Sequence, residues 1–192
     1  MLNVLRFLKQ FVFSPHVTGA VAASSEGLSN LITDVAELSE ASTIIELGAG
    51  TGVFTKKILQ KMPEDARFFA LEVNPHFVEE IRNRYPEVSV YRDSAVNARK
   101  YLEEMGLKAC DRVICGIPWA SFEEKLQDEL LDTILDVLKP GGRLLTFAYL
   151  HGLFLPAGIQ FRRKLFSRFR KVTITGTIWT NIPPAFVYSA EK

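Results

Sequence analysis

The chain has 192 residues, with 23 Lys and Arg, 22 Asp and Glu and 47% hydrophobic residues, so its net charge is close to zero. This length and composition predict one globular domain and exclude a disordered or collagen-like chain. The two cysteines form neither a C-x-x-C pair nor a disulfide framework, so we expect a reduced protein of the cytoplasm.

The first 39 residues predict two helices ahead of a regular core. Residues 2–13 spread Leu, Val and Phe over a very wide face, and Ser14-Pro15 ends this amphipathic helix. A second helix is expected over residues 24–38. Polar and charged side chains interrupt the first apolar run, which excludes a secretory signal and a spanning helix. We expect residues 1–39 to form a cap on the membrane and acceptor side.

From residue 40 onward, short β-branched runs alternate with helical patterns. The expected strands are 43–47, 67–73, 88–93, 110–116 and 143–150. The first expected helix follows the glycine loop and ends near residue 61, and the others cover 75–84, 94–105 and 121–138. Two last strands, within 171–180 and 185–191, should pair antiparallel because no helix separates them. The sequence therefore predicts the α/β class, with a three-layer, doubly wound, Rossmann-like sheet of seven strands. The sheet should be mostly parallel with an antiparallel last strand, in a single domain.

A glycine loop follows the first strand in the stretch "IIELGAGTGVFT". Glycines let the backbone turn tightly and let a ligand approach it closely. The spacing is G-x-G-x-G, whereas dinucleotide enzymes use G-x-G-x-x-G to place a pyrophosphate on a helix. Glu46 precedes the loop and would repel a pyrophosphate, but it suits a ligand with an ammonium and a sulfonium. The loop therefore predicts an S-adenosylmethionine site.

Two further carboxylates follow the next strands along the chain. Glu72 ends the second strand, where a carboxylate can accept from both ribose hydroxyls, and Asp93 ends the third strand, near the expected adenine. With this order of motifs, residues 40–192 resemble the class I S-adenosylmethionine-dependent methyltransferases. The resemblance implies a cofactor site formed by Glu46, Leu47, Gly48, Gly50, Thr51, Gly52, Glu72, Val73, Asn74, Asp93, Ser94, Ala95, Gly116, Ile117 and Pro118.

The stretch Gly116-Ile117-Pro118-Trp119 ends the fourth strand, beside the expected position of the transferable methyl group. Many amino-group methyltransferases have Asn/Asp-Pro-Pro-aromatic or Asn-Ile-Pro-Tyr here, with a polar residue that accepts from the target nitrogen. Gly116 replaces that residue, so we expect it to remove an acceptor and open space for a flexible alkylamine. Trp119 is expected to hold the amine by cation–π attraction. Packing of Trp119 in the core is the alternative.

The two ends of the chain resemble those of the bacterial phospholipid N-methyltransferases. Residues 19–25 read Gly-Ala-Val-Ala-Ala-Ser-Ser, with Ala23 where that family has proline, and residues 181–188 fit Asn-x-Pro-Pro-Ala-x-Val-Tyr. The resemblance implies methylation of the amine of phosphatidylethanolamine or its methylated forms. S-adenosylmethionine is the implied methyl donor, and we predict no metal site.

The charge pattern suits a lipid acceptor. Residues 151–192 carry seven basic side chains and one acidic side chain, and most of the basic ones interleave with Phe and Leu in 161–171. Such a stretch binds anionic headgroups. We expect the substrate or the membrane to contact Thr18, Gly19, Ser24, Ser25, Arg162, Arg163, Lys164 and Arg168. The apolar segment 149–161 is expected to be a mobile lid over the lipid entrance.

Methyl transfer to an amine needs a neutral nitrogen, because an ammonium has no lone pair. The candidate catalytic residues are Tyr149, His151, Tyr188 and Trp119. Water or His151 would receive the proton, and a tyrosine would position the amine or the phosphate. Most of the rate should come from alignment of the reactants. An ordinary loop histidine is the alternative for His151.

Three further functions stay open. The motif at residues 116–119 also resembles that of RNA adenine N-methyltransferases, although Gly116 and the near-zero net charge disfavour nucleic acid as a partner. The second is a small-molecule methyltransferase, and the third is a membrane-associated protein that only binds the cofactor. We expect a cytoplasmic protein, peripheral on the inner face of the membrane, with no obligate protein partner.

Overall fold

The computed structural model describes residues 25–192, so the helix expected at 2–13 and the predicted contacts Thr18, Gly19 and Ser24 lie outside the described residues. The helices are α1 Glu26–Val35, α2 Val53–Lys61, α3 Pro75–Arg84, α4 Ala98–Glu104, α5 Glu124–Val137 and α6 Pro156–Arg168. The strands are β1 Thr43–Leu47, β2 Arg67–Glu72, β3 Ser89–Arg92, β4 Cys110–Cys115, β5 Leu138–Tyr149, β6 Lys171–Ile174 and β7 Ala185–Glu191. Short 3-10 helices cover Leu38–Glu40, Ala95–Asn97, Trp119–Ser121 and Leu150–Phe154.

The seven strands form one sheet in the order β3-β2-β1-β4-β5-β7-β6. Strands β1 to β5 pair in parallel, and β7 is antiparallel to both β5 and β6. This confirms the predicted fold class, including the antiparallel last strand. Because the first five strands are parallel, the residues that follow them all meet at one edge of the sheet, where doubly wound folds bind ligands.

Helices cover the sheet on both faces and give the predicted three layers. On one face, buried side chains of α4, α5 and α6 form a single cluster with the sheet. On the other face, side chains of α1, α2 and α3 form the second cluster. Every residue of β1 is buried, since this central strand is covered on both faces.

Strand β4 carries both cysteines of the chain, and both thiols are buried. Burial raises the pKa of Cys110 to about 12 and that of Cys115 to about 12. The thiols are therefore protonated at neutral pH and act as small apolar side chains of the core.

Segment 149–168 differs from its prediction. It forms the 3-10 helix Leu150–Phe154 and helix α6, which the sequence pattern did not predict, while the mobile lid expected over 149–161 stays a prediction. Phe161, Leu165 and Phe169 are buried at helical spacing, a stripe that the many basic residues between them obscured. Gly158 packs so tightly that an added Cβ would lie 1.9 Å from the carbonyl oxygen of Gly152. The two glycines thus bring α6 close to the 3-10 helix.

The remaining differences lie at the ends of elements. Helix α1 is shorter than the 24–38 helix expected, and strand β6 ends at Ile174, so residues 175–184 form a loop. Strand β5 begins five residues earlier than predicted and includes Pro140, with a register shift in its pairing to β4. No helix within residues 25–192 has the length and hydrophobicity needed to cross a membrane.

Candidate active site

The glycine loop turns the chain from the end of β1 into α2. Gly48, Gly50 and Gly52 all have positive φ, at 75°, 53° and 79°. This backbone conformation favours glycine, because in other residues the Cβ would crowd the neighbouring backbone. A Cβ added at Gly50 would meet nothing within 4 Å, so the tip of the loop borders open space. The loop therefore offers bare backbone to a ligand, as its sequence predicted.

Glu46 lies beneath the glycine loop and is fully buried. Its Oε2 accepts a hydrogen bond from the Thr55 hydroxyl at 2.6 Å, whereas its Oε1 has no partner among the described residues. Burial is the main cause that raises the pKa of Glu46 to about 8, against the lowering effect of Thr55. A buried acceptor without a donor is costly unless a ligand supplies one. This oxygen fits a cationic ligand such as S-adenosylmethionine.

Glu72, at the end of β2, fixes the loop from the neighbouring strand. Its two carboxylate oxygens accept from the backbone N–H groups of Gly50 at 2.8 Å and Asn74 at 2.9 Å. Burial raises the pKa of Glu72, and these backbone N–H groups oppose that rise. Each oxygen keeps lone-pair capacity for a further donor. Glu72 is therefore a pre-oriented acceptor that suits a pair of ribose hydroxyls.

Asp93, after β3, is held by three neighbours. Its Oδ1 accepts from the Ser94 backbone at 2.7 Å and the Asn97 amide at 2.8 Å, and its Oδ2 accepts from the Tyr101 hydroxyl at 2.8 Å. Partial burial acts to raise the pKa of Asp93, but the hydrogen bonds from Tyr101, Asn97 and Ser94 hold it below its usual value. Asp93 is thus a partly exposed carboxylate at the edge predicted for the adenine.

Several other predicted cofactor residues have structural roles. The side chain of Leu47 is buried in the core, and its carbonyl accepts from the Gly116 N–H at 2.8 Å. The Asn74 side chain caps α3 by accepting from the His76 N–H at 3.0 Å. Ala95 is buried, and Ile117 is at the margin of burial against the glycine loop. The side chains of Leu47 and Asn74 are therefore committed to the fold. Thr51, Val73 and Ser94 lie partly exposed at the same edge.

Gly116 does not open space, contrary to our prediction. A Cβ at this position would lie 2.5 Å from the Gly48 carbonyl oxygen, much closer than real Cβ atoms come to another atom. The glycine therefore allows β4 to approach the glycine loop.

A small cavity of about 60 Å³ lies next to this contact, at the carboxyl ends of β4 and β5. Its lining residues are Pro118, Trp119, Ala120, Ser121, Phe147, Ala148, Tyr149, His151, Gly152, Leu153, Leu155, Gly158, Phe161 and Tyr188. The polar side chains among them are one serine, two tyrosines, one histidine and one tryptophan. No carboxylate lines the cavity, so it has no anionic partner for an ammonium among its described walls.

Trp119 is a packing residue that also lines the cavity, so the cation–π role predicted for it stays a prediction. The side chain is only 3% exposed, and one face of its ring stacks on Phe161 at 4.3 Å between centroids. Its indole N–H donates to the Thr146 hydroxyl at 2.8 Å, and that hydroxyl donates to the Cys115 carbonyl at 3.0 Å. The structure therefore has the core packing that the sequence also allowed.

All four predicted catalytic residues, Trp119 included, line the cavity. The rings of Tyr149 and His151 stack at 5.6 Å between centroids, and His151 is exposed on its outer side. Burial raises the pKa of Tyr149. Tyr188 is buried, and burial raises its pKa, although the nearby Arg162 guanidinium opposes this rise. The structure thus brings Tyr149, His151 and Tyr188 together around one space.

The basic residues of α6 divide into two pairs. Lys164 and Arg168 form ion pairs with Asp128 of α5, so the contact with lipid predicted for them is wrong. Arg162 and Arg163 are exposed, and neither forms an ion pair with a described acidic residue. Ser25 is also committed to the fold, because its hydroxyl caps α1 by accepting from the Leu28 N–H at 3.2 Å.

Gln127 is a site residue that the sequence did not indicate, and it is buried in α5. Its amide nitrogen donates to the Trp119 carbonyl at 2.9 Å and to the Ala157 carbonyl at 3.0 Å. It therefore ties the loop after β4 to the start of α6, the two sides of the cavity. One glutamine in an amphipathic helix gives no signal in the sequence. Thr55 was also missed, but its position facing back to Glu46 from the first turns of α2 could have been predicted.

Comparison with known proteins agrees with this geometry. The profile of the "Methyltransferase domain" family matches residues 44–142, about half of the chain. An ornithine lipid N-methyltransferase of Singulisphaera acidiphila is 30% identical over 145 residues, which cover 74% of this chain and 76% of that protein. An uncharacterized methyltransferase-like protein of Schizosaccharomyces pombe is 34% identical over 120 residues, 62% of this chain and 42% of that protein. The chain thus spans three quarters of one relative and less than half of the other.

Solved structures share the fold at low sequence identity. An O-methyltransferase of Streptomyces achromogenes, solved with S-adenosylmethionine, has a TM-score of 0.70 at 18% identity, covering 97% of this chain and 88% of that chain. An O-methyltransferase of Bacillus cereus, solved with S-adenosylhomocysteine, has a TM-score of 0.69 at 14% identity, covering 99% of this chain and 91% of that chain. The chain belongs to the methyltransferase domain family and is a class I S-adenosylmethionine-dependent methyltransferase.

Proposed function

We propose that the enzyme methylates the amine of a polar lipid headgroup, phosphatidylethanolamine or its methylated forms, at a membrane surface. The observation that carries this proposal is the cavity beside the glycine loop, which is largely apolar and has Leu155 in its wall. Leu155 is also 42% exposed, so apolar surface continues from the cavity to the outside. Such a path suits an amine attached to an apolar tail. The similarity to an ornithine lipid N-methyltransferase supports the same class of acceptor.

The cavity favours the reactive form of an amine. Transfer from water into apolar surroundings lowers the pKa of an amine, because the charged form loses its hydration. No carboxylate in the lining compensates the charged amine for its lost hydration. An amine that enters the cavity therefore tends to give up its proton and keep a free lone pair. The proton can pass to His151, which lies between the cavity and solvent, or directly to water.

Bound S-adenosylmethionine supplies an electrophilic methyl group. Glu46 would hold the cofactor through its unpartnered oxygen, with the glycine loop as backbone contact. Glu72 and Asp93 would accept hydrogen bonds from the nucleoside part, since both are oriented carboxylates at the same edge. The remaining task of the protein is alignment, in which Tyr149 and Tyr188 bound the space for the amine.

The test is methyl transfer from radiolabelled S-adenosylmethionine to separate acceptors. We expect label in vesicles of phosphatidylethanolamine and phosphatidylglycerol, and none in phosphoethanolamine, which has the same amine without the tail. Vesicles with an ornithine lipid form a second arm, because the relative carries that name. Label in phosphoethanolamine but in neither lipid would refute the lipid assignment.

Variants connect this activity to the cavity. Replacing Tyr149→Phe and His151→Gln, separately, should lower kcat for lipid methylation by about tenfold or more, since general acid–base and positioning groups contribute at least that much. His76→Gln is the matched control, because His76 is exposed on α3 away from the cavity lining. Equal kcat for His151→Gln and His76→Gln would remove His151 from the proton path.

Ribosomal RNA is the second candidate acceptor. A ribosomal RNA small subunit methyltransferase A of Chlorobium phaeobacteroides is 31% identical over 97 residues, 50% of this chain and 35% of that protein. The ion pairs of Lys164 and Arg168 leave less free positive charge on α6 for phosphates than the sequence suggested. Ribosomal RNA therefore forms the third arm of the acceptor test, and label there without label in lipid would favour this candidate.

A further inference from the structure

Large apolar side chains are exposed on the segments that follow β5 and precede β7. Phe154 is 83% exposed, Ile182 is 77% exposed and Trp179 is 72% exposed. We call the exposed apolar group on these two segments the apolar rim; its members are Phe154, Leu155, Ile159, Trp179 and Ile182. A group of this kind near a binding site marks an interaction surface more often than scattered single residues do.

The two segments of the rim rise from neighbouring strands. Tyr149, the last residue of β5, pairs with Ala185, the first residue of β7. Beyond this pair, the Leu150 N–H donates to the Pro184 carbonyl at 2.9 Å. The segments 150–159 and 175–184 therefore leave the sheet side by side, at the edge that holds the cofactor site.

The second segment is held in place by a buried side chain. Asn181 is 3% exposed; its Oδ1 accepts from the Ser25 N–H at 2.9 Å and its amide donates to the Pro183 carbonyl at 2.6 Å. The exposed Ile182 is next to it in sequence, and Trp179 is two residues before it. The loop thus has an ordered base beside its exposed apolar side chains.

The charges around the rim suit an anionic partner. No Asp or Glu occurs in the sequence between Asp136 and Glu191, so both segments of the rim and all of α6 are free of acidic residues. Arg162 and Arg163, which form no ion pair with a described residue, follow Ile159 in α6. A surface with exposed apolar groups and positive charge attracts anionic lipid. A second copy of the same surface would bring like charges together.

We propose that the apolar rim is the surface through which the enzyme docks on an anionic lipid bilayer, with Phe154, Trp179 and Ile182 inserted among the headgroups. This inference rests on the proposed lipid substrate. Docking in this orientation turns the exposed part of Leu155 toward the bilayer, so a headgroup would reach the cavity without leaving the membrane surface. Arg162 and Arg163 would contact anionic headgroups beside the inserted residues.

The experiment measures binding of the full chain to vesicles of phosphatidylethanolamine and phosphatidylglycerol by co-sedimentation. The double variant Phe154→Ser/Trp179→Ser should bind at least about tenfold more weakly, since each side chain buries large apolar area. Phe166→Ser is its control, because Phe166 is exposed outside the rim; its ring contacts Arg162, so any loss should not exceed that caused by changing the arginines. Equal loss of binding by the control and the double variant would overturn the proposal.

The charges are tested with a matched pair of double variants. Arg162→Gln/Arg163→Gln should weaken binding about thirtyfold at low salt, because each arginine near an anionic surface contributes about 1 kcal/mol. Lys164→Gln/Arg168→Gln removes the same charge, but from side chains already paired with Asp128, and should weaken binding much less. Equal effects of the two pairs would show that only net charge matters and would overturn the proposed orientation.

Methyl transfer to detergent-dispersed phosphatidylethanolamine separates this inference from the proposed function. Phe154→Ser/Trp179→Ser should keep wild-type activity there, because neither side chain lines the cavity, and lose activity on vesicles. Wild-type vesicle binding by this variant would refute the rim even if lipid is the substrate. Absence of wild-type activity on both dispersed lipid and vesicles would instead refute the proposed function.

Discussion

Replacing Gly116 by alanine tests how closely the fold couples β4 to the cofactor loop. The new Cβ would lie 2.5 Å from the Gly48 carbonyl oxygen, a rigid backbone atom. The two groups must move apart by about 1 Å to reach an ordinary contact. That movement strains the 2.8 Å hydrogen bond from the Gly116 N–H to the Leu47 carbonyl. The substitution therefore changes the strand and the glycine loop together.

The expected cost follows from these two effects. Insertion of a methyl group into a packed site costs about 1–3 kcal/mol, and a weakened hydrogen bond adds about 1 kcal/mol. For a chain of this size, a total of about 2–4 kcal/mol lowers Tm by roughly 5–15 °C. Because the displaced atom belongs to the glycine loop, the Kd for S-adenosylmethionine should rise by at least about tenfold, or about 1.4 kcal/mol.

Thermal unfolding and calorimetric titration with S-adenosylmethionine measure both effects. Gly176→Ala is the control, since a Cβ there meets nothing within 4 Å and its φ is ordinary. Its Tm should stay within about 2 °C of wild type, as for other surface substitutions. If Gly116→Ala has the Tm and Kd of this control, the close approach does not constrain the loop, and our explanation of Gly116 is wrong.

Three further changes test other parts of the site. The pKa of Glu46 is raised from 4.5 to about 8, so the ligand-free enzyme is more stable at low pH and loses stability as pH rises from 4.5 to 8. In urea unfolding curves, Glu46→Gln should abolish this loss. Parallel pH profiles of the variant and the wild type would contradict the prediction. Gln127→Leu leaves the Trp119 carbonyl without this donor and should raise KM for the lipid more than Kd for the cofactor, at a stability cost of about 1–3 kcal/mol. Asn181→Ala should speed amide hydrogen exchange in residues 175–184 while exchange in β1 stays unchanged, and equal exchange would show that another contact holds the loop.

Much of the sheet and of the cofactor site could be predicted because the signals are local. Alternation of β-branched runs with helical patterns predicts a doubly wound, mostly parallel sheet. Glycines with positive φ, and carboxylates directly after strands, mark the edge at which the ligand lies. Glu46, Glu72 and Asp93 were found in this way, since the position of each depends only on its own strand.

The errors concern contacts between residues far apart in sequence. Gly116 was interpreted through its neighbours in the chain, but the Gly48 carbonyl determines it. Lys164 and Arg168 looked like free positive charge because their partners lie on α5, a separate helix. Trp119 follows a strand, as a substrate contact would, and the sequence does not show that Phe161 of α6 stacks on one face of its ring. Contacts between residues that are distant in sequence determine these roles, and the pattern of a single sequence does not show such contacts.

The two buried cysteines of β4 allow unfolding of the enzyme to be measured by thiol modification. With each pKa raised to about 12, neither thiol reacts appreciably at neutral pH while the central strand is covered. Modification by a thiol reagent therefore requires the sheet to open, and its rate measures that opening. Thiol labelling can therefore follow the stability of every variant above without an attached dye.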